Sequence, residues 1–354
     1  MQGSISRRTM LKAGVGGGAA LALSAASYAR VVGANDRISI GQIGGGGRGV
    51  GAHMAGVAPY AKEQNIEVTA VCDPWRLRRE EASAKVNATY GRPARQFVSY
   101  RDLLALRDVD AVMIASPDHM HTTHLKAAAE AGKDAYCEKP LAMDFDKLKE
   151  ACDAVKKANI VVQIGTQLRS LPSFTGCREV YKSGVLGTVG RIEQCRNDER
   201  PYWYSYVKDV KQEDVDWKEF LGDRPAQPFD PVKYSGWYGY REFSDGPVCG
   251  YGSHFLDLVH YITGARFPGS CVCLGGTFTY KDEHKSPVPT TCRPSGSIPR
   301  DLWSATRPCA ATAAATASKS SAIRACSIWS SGPSPCSRRR AAPSGWARFA
   351  AGIL

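Results

Sequence analysis

Residues 37–58 read RISIGQIGGGGRGVGAHMAGVA. Ile38, Ile40 and then Ile43 give the stretch an alternating apolar start, the pattern of a strand. A glycine cluster follows, and after it a segment compatible with a helix. Gly44, Gly46 and Gly49 satisfy G-x-G-x-x-G, with Gly47 and Arg48 inside the motif. Gly44 permits the tight turn, Gly46 lets backbone approach a pyrophosphate, and Gly49 lets helix pack on strand. Amides at a helix start favour an anion. The stretch therefore predicts a strand–turn–helix unit that binds a dinucleotide.

The sequence downstream extends that unit. IEVTAVCD (66–73) predicts a second buried strand, ending in Asp73, 24 residues beyond Gly49. A carboxylate there accepts hydrogen bonds from the adenosine ribose hydroxyls. It also repels a 2′-phosphate, favouring NAD over NADP, while nearby Arg76, Arg78 and Arg79 keep NADP open. DVDAVMIASPD, DAYCEKP and IVVQIG predict further strands, separated by the helical patterns HLKAAAEAGK and DKLKEACDAVKKAN. This alternation predicts an α/β fold with a doubly wound parallel Rossmann sheet. Ligands bind such sheets at the C-terminal strand ends. Ser116, Pro117, Glu138 and Lys139 fall at those ends, and Gln167 and Arg169 follow the last strand.

The chain has 354 residues, 12 cysteines and a formal net charge of +12. The charge is not spread evenly. Residues 1–34 hold four Lys/Arg and no acid, and residues 291–354 hold nine Lys/Arg and one acid, leaving 33 of each sign between them. A neutral middle gives no reason to expect a nucleic-acid partner. Arg7 and Arg8, the Gly/Ala-rich segment after Lys12 and small residues near Ala29 and Ala34 read as an export signal. The order Ser-Arg-Arg-x-x-Leu-Lys resembles the twin-arginine type, which implies passage of a folded protein through that export machinery to the periplasm. Cys72, Cys137, Cys271 and Cys273 lie in apolar runs and are expected to be buried thiols. Residues 291–354 are rich in Ala and Ser, with neither a strand nor a helix period. They read as low-complexity sequence from a shifted frame, or as a disordered tail. The expected organisation is a signal over 1–34, a dinucleotide domain over 35–165, a substrate domain over 166–290 that is incomplete, and the tail.

Four stretches together, the glycine loop, ASPDHMH, GKDAYCEKPLA and GYGSHFLDLVHY, resemble the Gfo/Idh/MocA oxidoreductases. The resemblance runs in order over roughly residues 36–290. It implies NAD or NADP, and a second α+β domain whose open, mostly antiparallel sheet closes over the nicotinamide. It also implies sugar or polyol substrates and, with the second domain intact, a homo-oligomer. By position, Lys139 is the lysine beside nicotinamide and substrate, and His254 is the histidine of an acid/base pair. His121 falls where the family holds cofactor or substrate.

These roles also follow from chemistry. Oxidising a secondary alcohol requires loss of its hydroxyl proton. An ammonium stabilises the developing alkoxide, and an imidazole titrating near neutrality accepts the proton. The family often places an aspartate four residues before the histidine; here that residue is Gly250. Asp257, on the same helical face as His254, and Tyr251 are the candidate substitutes. His119, His121 and His124 resemble a metal cluster, but no matching ligand set accompanies them, so no metal is expected. Trp203, Tyr204, Trp237 and Tyr240 can line a saccharide cleft or pack the second domain. Two other functions stay open: glycoside cleavage through transient oxidation on the same fold, and sugar binding without turnover.

Overall fold

The strand expected at the glycine loop is Ile38–Ile43 (β1), buried from Ser39 onward. It lies at the centre of a sheet with Ile66–Cys72 (β2), Arg95–Phe97 (β3), Ala111–Ile114 (β4), Asp134–Cys137 (β5) and Val162–Ile164 (β6). The computed structural model describes residues 37–196, 201–278, 283–289, 291–297 and 323–326. The signal expected over 1–34 lies outside them, as does most of the tail. The sheet order is β3-β2-β1-β4-β5-β6 and every pair is parallel. This is the doubly wound order, with its switch point between β1 and β4.

Successive residues of the central strands enter two different cores. Val112 and Ile114 join Ile43, Ala70, Cys72, Ala135 and Cys137 on one face. Met113 and Tyr136 join Ile40, Val68 and Val71 on the other. A period of two with both sets apolar means that both faces are covered. One face takes the helix that starts as a π-helical stretch, Gly49–Met54, and continues over Ala55–Val57 (α1), with Arg76–Tyr90 (α2) beside it. The other takes Tyr100–Leu104 (α3), His121–Glu130 (α4) and Phe145–Ala158 (α5). Asp144 caps α5 by accepting from Lys147 N at 2.9 Å. Asn159, at φ 53°, ends it in the left-handed region.

The C-terminal strand ends form a ledge. Gly44 N donates to Cys72 O (2.8 Å), Ala115 N to Ile43 O (2.8 Å), Glu138 N to Ile114 O (3.0 Å) and Gly165 N to Cys137 O (2.8 Å). These ladder bonds hold the glycine turn, Ser116 and the Glu138-Lys139 pair side by side.

Beyond the sheet, Pro172–Lys182 (α6) packs on Ser253–Thr263 (α9), and the short helices Trp217–Leu221 (α7) and Pro231–Ser235 (α8) frame an aromatic core. The second domain has the small antiparallel sheet expected, together with a separate parallel pair. Ser270–Gly276 (β8) pairs antiparallel with Thr291–Ser297 (β9), while Ile192–Cys195 (β7) pairs parallel with Ile323–Cys326 (β10). Two strands thus form inside 291–354, where none was expected. Ladder pairing uses backbone groups, and Pro294 is tolerated because β9 has one partner among the described residues. The cysteine expectation divides. Cys72 and Cys137 are buried free thiols, but Cys271 and Cys273 are exposed, because β8 shows solvent nearly its whole length.

Candidate active site

Gly44 turns at φ 93°, and a Cβ there would sit 2.5 Å from Ala115 O. A Cβ on Gly49 would overlap Gly44 O, so only glycine lets α1 approach the turn. Gly46 and Gly47 differ: a Cβ on either would meet nothing within 4 Å. The open side of the loop is where a pyrophosphate would lie against the first-turn amides. This contrast predicts separable defects. Gly46→Val should weaken NADH binding at least tenfold with an unchanged melting temperature, whereas Gly49→Ala should lower the melting temperature. Nicotinamide fluorescence and thermal unfolding read the two quantities.

Asp73 lies at the end of β2 as expected, but its carboxylate faces the chain. Oδ2 accepts from Gly45 N (2.8 Å) and Oδ1 from Trp75 N (2.9 Å). Burial pushes its pKa up, against those two bonds and the charges of Arg78 and Arg79. The three nearby arginines are engaged. Arg76 pairs with Asp214 and Glu80, Arg78 with Glu81, and Arg79 donates to Asp73 O.

Glu138 is the hub beneath the loop. Its Oε1 accepts from Arg48 Nε (2.7 Å) and from His53 Nε2 (2.9 Å). Burial pulls its pKa up, but the His53 hydrogen bond and the charges of Arg48 and Lys139 win and hold it at about 2. His53 is pushed down by its own burial, against the Glu138 hydrogen bond and charge that favour its protonated form. Gly165 packs against this carboxylate, where a Cβ would come within 2.9 Å. Oriented to satisfy both ends of its amide, Gln167 accepts from Arg48 at 3.0 Å. Arg48, Glu138 and Gln167 thus form one cluster beside the glycine turn.

Lys139 follows and is nearly buried. Desolvation lowers its pKa, opposed by Glu138 and Asp118 and aided by Arg48 and Arg196. Its Nζ donates to the carbonyl of Gly250, in the π-helical stretch Val248–Gly252 that leads into α9. That stretch places His254 on the first turn of α9, 5% exposed. Burial and then the Lys139 charge hold His254 at about 4. The expected imidazole titrating near neutrality is therefore corrected: His254 is a neutral ring and a weak base.

Several other expectations are corrected. Asp257 does not support His254; it makes a two-point ion pair with Arg169. His121 is fully buried between Ser116 O (2.8 Å) and Pro140 O (2.7 Å), bracing two strand-end loops instead of facing a cofactor. His124 meets Ser116 Oγ (3.0 Å) and His119 meets Phe220 O (2.8 Å), so the three histidines point to separate partners. Trp203 is 3% exposed against Tyr238, and Tyr240 belongs to the aromatic core; both are packing residues. Tyr204 meets His284 edge-on at 5.1 Å and Trp237 is half-buried. Ser116 and Pro117 do lie at the end of β4.

Four residues escaped the sequence reading: Gln42, His53, Asp118 and Ser244. Gln42 Nε2 donates to Gly44 O (3.0 Å) from beneath the turn. Asp118 is buried and accepts from Ser244 Oγ at 2.7 Å. A polar residue inside an apolar strand was the available signal for Gln42. Nothing local marked the others.

Comparison with known proteins agrees with this geometry. Residues 38–166 match the model of the oxidoreductase family with NAD-binding Rossmann fold, GFO_IDH_MocA. A levoglucosan dehydrogenase of Pseudarthrobacter phenanthrenivorans is 32% identical over 234 residues, covering 64% of this chain and 51% of that protein. An inositol 2-dehydrogenase/D-chiro-inositol 3-dehydrogenase of Shouchella clausii is 33% identical over 127 residues, 36% of each chain. The chain spans about half or less of the length of the first curated relatives it matches. Among solved structures, scyllo-inositol dehydrogenase from Lactobacillus casei, with NAD(H) and scyllo-inositol bound, superposes with TM-score 0.54 at 17% identity. That match covers 75% of this chain and 67% of that one, and it shows the fold.

Proposed function

We propose, from a chain whose residues 38–166 are an NAD-binding Rossmann domain of the Gfo/Idh/MocA oxidoreductase family, that the whole protein moves a hydride between NAD and a secondary alcohol of a sugar or polyol. The observation that carries this is Lys139. It is a nearly buried ammonium at the end of β5, beside the Glu138–Arg48 cluster, and its Nζ reaches Gly250 just before the helix that bears His254.

The loop from Gly44 to Gly49 would hold the pyrophosphate, and Asp73 would stand at the adenosine ribose. The cofactor would supply the hydride acceptor. The chain does the rest. Lys139 donates to the reacting oxygen and stabilises its developing charge in a water-poor cleft. Neutral His254 orients the hydroxyl and accepts from it. NAD is favoured over NADP because an acidic residue, Asp73, closes the end of β2 and Arg76, Arg78 and Arg79 are committed to other partners. Export belongs to the same reading. Free dinucleotide is scarce outside the cytoplasm, so an exported enzyme gains by folding around its cofactor before crossing, as the Arg7-Arg8 start suggests.

The test expresses the full chain in a bacterial host with the twin-arginine route. Cell fractions are assayed for bound nucleotide and for absorbance at 340 nm with NAD and myo-inositol, scyllo-inositol or levoglucosan. The expected result is periplasmic protein that carries NAD(H) and reduces NAD with at least one of these alcohols. Protein that binds no NADH and oxidises none of them would overturn the enzymatic reading. Active protein confined to the cytoplasm would overturn export alone.

A further inference from the structure

The end of β7 brings a cation to the site. Residues two apart on a strand share a face, and Gln194 and Arg196 are such a pair, with Arg196 one residue past β7. Gln194 Nε2 donates to Phe255 O (2.8 Å), which ties the strand end to the first turn of α9. Arg196 then lies over the ring of Tyr251, its guanidinium 3.8 Å from the centroid. The Tyr251 ring meets the His254 ring edge-on at 5.8 Å. These two contacts bound the guanidinium-to-imidazole distance to the span of one monosaccharide. Glu193, on the other face of β7, pairs with Arg191.

The neighbouring carboxylates are engaged elsewhere. A Cβ on Gly250 would overlap the hydroxyl of Tyr238, so the carboxylate expected at position 250 has no room. Asp257 is held by Arg169, Glu138 by Arg48 and His53, and Asp118 by Ser244 Oγ. Lys139 reaches Gly250 O, next to Tyr251. Burial first, then the Lys139 charge, with Arg48 and Arg196 adding to it against Glu138, hold His254 at about 4. His254 Nδ1 and the adjacent Ser253 Oγ are buried without a hydrogen-bond partner among the described residues. Buried polar atoms of this kind call for a partner, and hydroxyl groups supply one.

We propose that the preferred substrate is a sugar or polyol bearing an oxyanion, carboxylate or phosphate, which Arg196 grips while the reacting hydroxyl meets Lys139 and His254. The inference deepens the dehydrogenase reading and rests on it. Cation–π attraction holds the guanidinium over Tyr251. Its planar fork matches an oxyanion through two N–H groups at once, and its five donors serve a protein neighbour and a ligand together. Arg196 is exposed and His254 is buried, so the hydroxylated end enters first and the charged group stays outermost.

The test titrates the full chain calorimetrically, with and without NADH, with D-glucuronate, D-galacturonate, D-glucose 6-phosphate and the neutral parents glucose and galactose. NAD reduction by the same compounds is followed at 340 nm. At least one anion should bind about tenfold more tightly than its parent, less so with added salt, and its identity separates carboxylate from phosphate. Arg196→Met should weaken binding of that anion and raise its KM about 20-fold, with kcat within about threefold. Arg196→Lys keeps the charge without the fork and should recover only part of the loss. No anion favoured over its neutral parent, or a preference that survives in Arg196→Met, would overturn the inference. Arg196-dependent anion binding by a protein that binds no NADH would uphold the oxyanion site and place the failure in the dehydrogenase reading.

Discussion

Lys139→Met is expected to lower turnover about 10³-fold while leaving NADH binding within twofold of wild type. Methionine keeps the length and apolar stem of the side chain, so the packing beneath Gly250 survives. What is lost is the ammonium at the reacting oxygen. Removing one preorganised donor from a site of this kind costs about 3–4 kcal/mol in the transition state. His254 cannot compensate, because burial and the neighbouring lysine hold it at about 4. With Lys139 gone its pKa should rise toward the usual imidazole value, so the residual activity should follow a histidine titration. Stopped-flow absorbance at 340 nm over a pH series measures both effects. A variant with near wild-type turnover would remove Lys139 from the chemistry.

Glu138→Gln carries the largest expected effect on stability, about 3 kcal/mol at neutral pH. The glutamine still accepts from His53 but no longer neutralises Arg48. Breaking a buried pair on one side costs roughly 3–5 kcal/mol, and the lower end applies because the Arg48 side chain is 36% exposed. The pH dependence follows from Glu138 itself. Its carboxyl sits at about 2 when folded, against 4.5 as its ordinary value. A depressed folded pKa gives stability that is complete above pH 4.5 and is lost as pH falls toward 2. The gap between wild type and Glu138→Gln should therefore be widest at pH 6–7 and close steadily below pH 4.5. Denaturant midpoints at four or five pH values would show it. A gap independent of pH would mean that Glu138 acts through shape alone.

The same cluster shows how far the sequence could be read. Glu138 and Lys139 were visible as strand-end residues, because a short apolar run followed by Glu-Lys-Pro marks where a buried strand stops. Arg48 was visible through the glycine motif. That Glu138 joins the two could not be read, since His53 and Arg48 reach it from 85 and 90 residues away. The aromatic stretches show the opposite case. Trp203 and Tyr240 had two readings of equal standing in the sequence, and burial against Tyr238 and in the Trp75–Phe243 core decided for packing. Asp257 failed for a simpler reason. Helical spacing brought it to the right face, but Arg169, from a different element, claimed its carboxylate.

By itself, the sequence determined the doubly wound sheet, the glycine turn and the strand-end position of Glu138 and Lys139. All of these depend on local periodicity and on the conformations that glycine alone adopts. Only the tertiary structure decided the protonation of His254, the filling of position 250 by Tyr238 and the burial of Asp118 against Ser244. Burial, charge proximity and occupied volume depend on residues more than 100 positions apart, such as Asp118 and Ser244, and no local pattern records them.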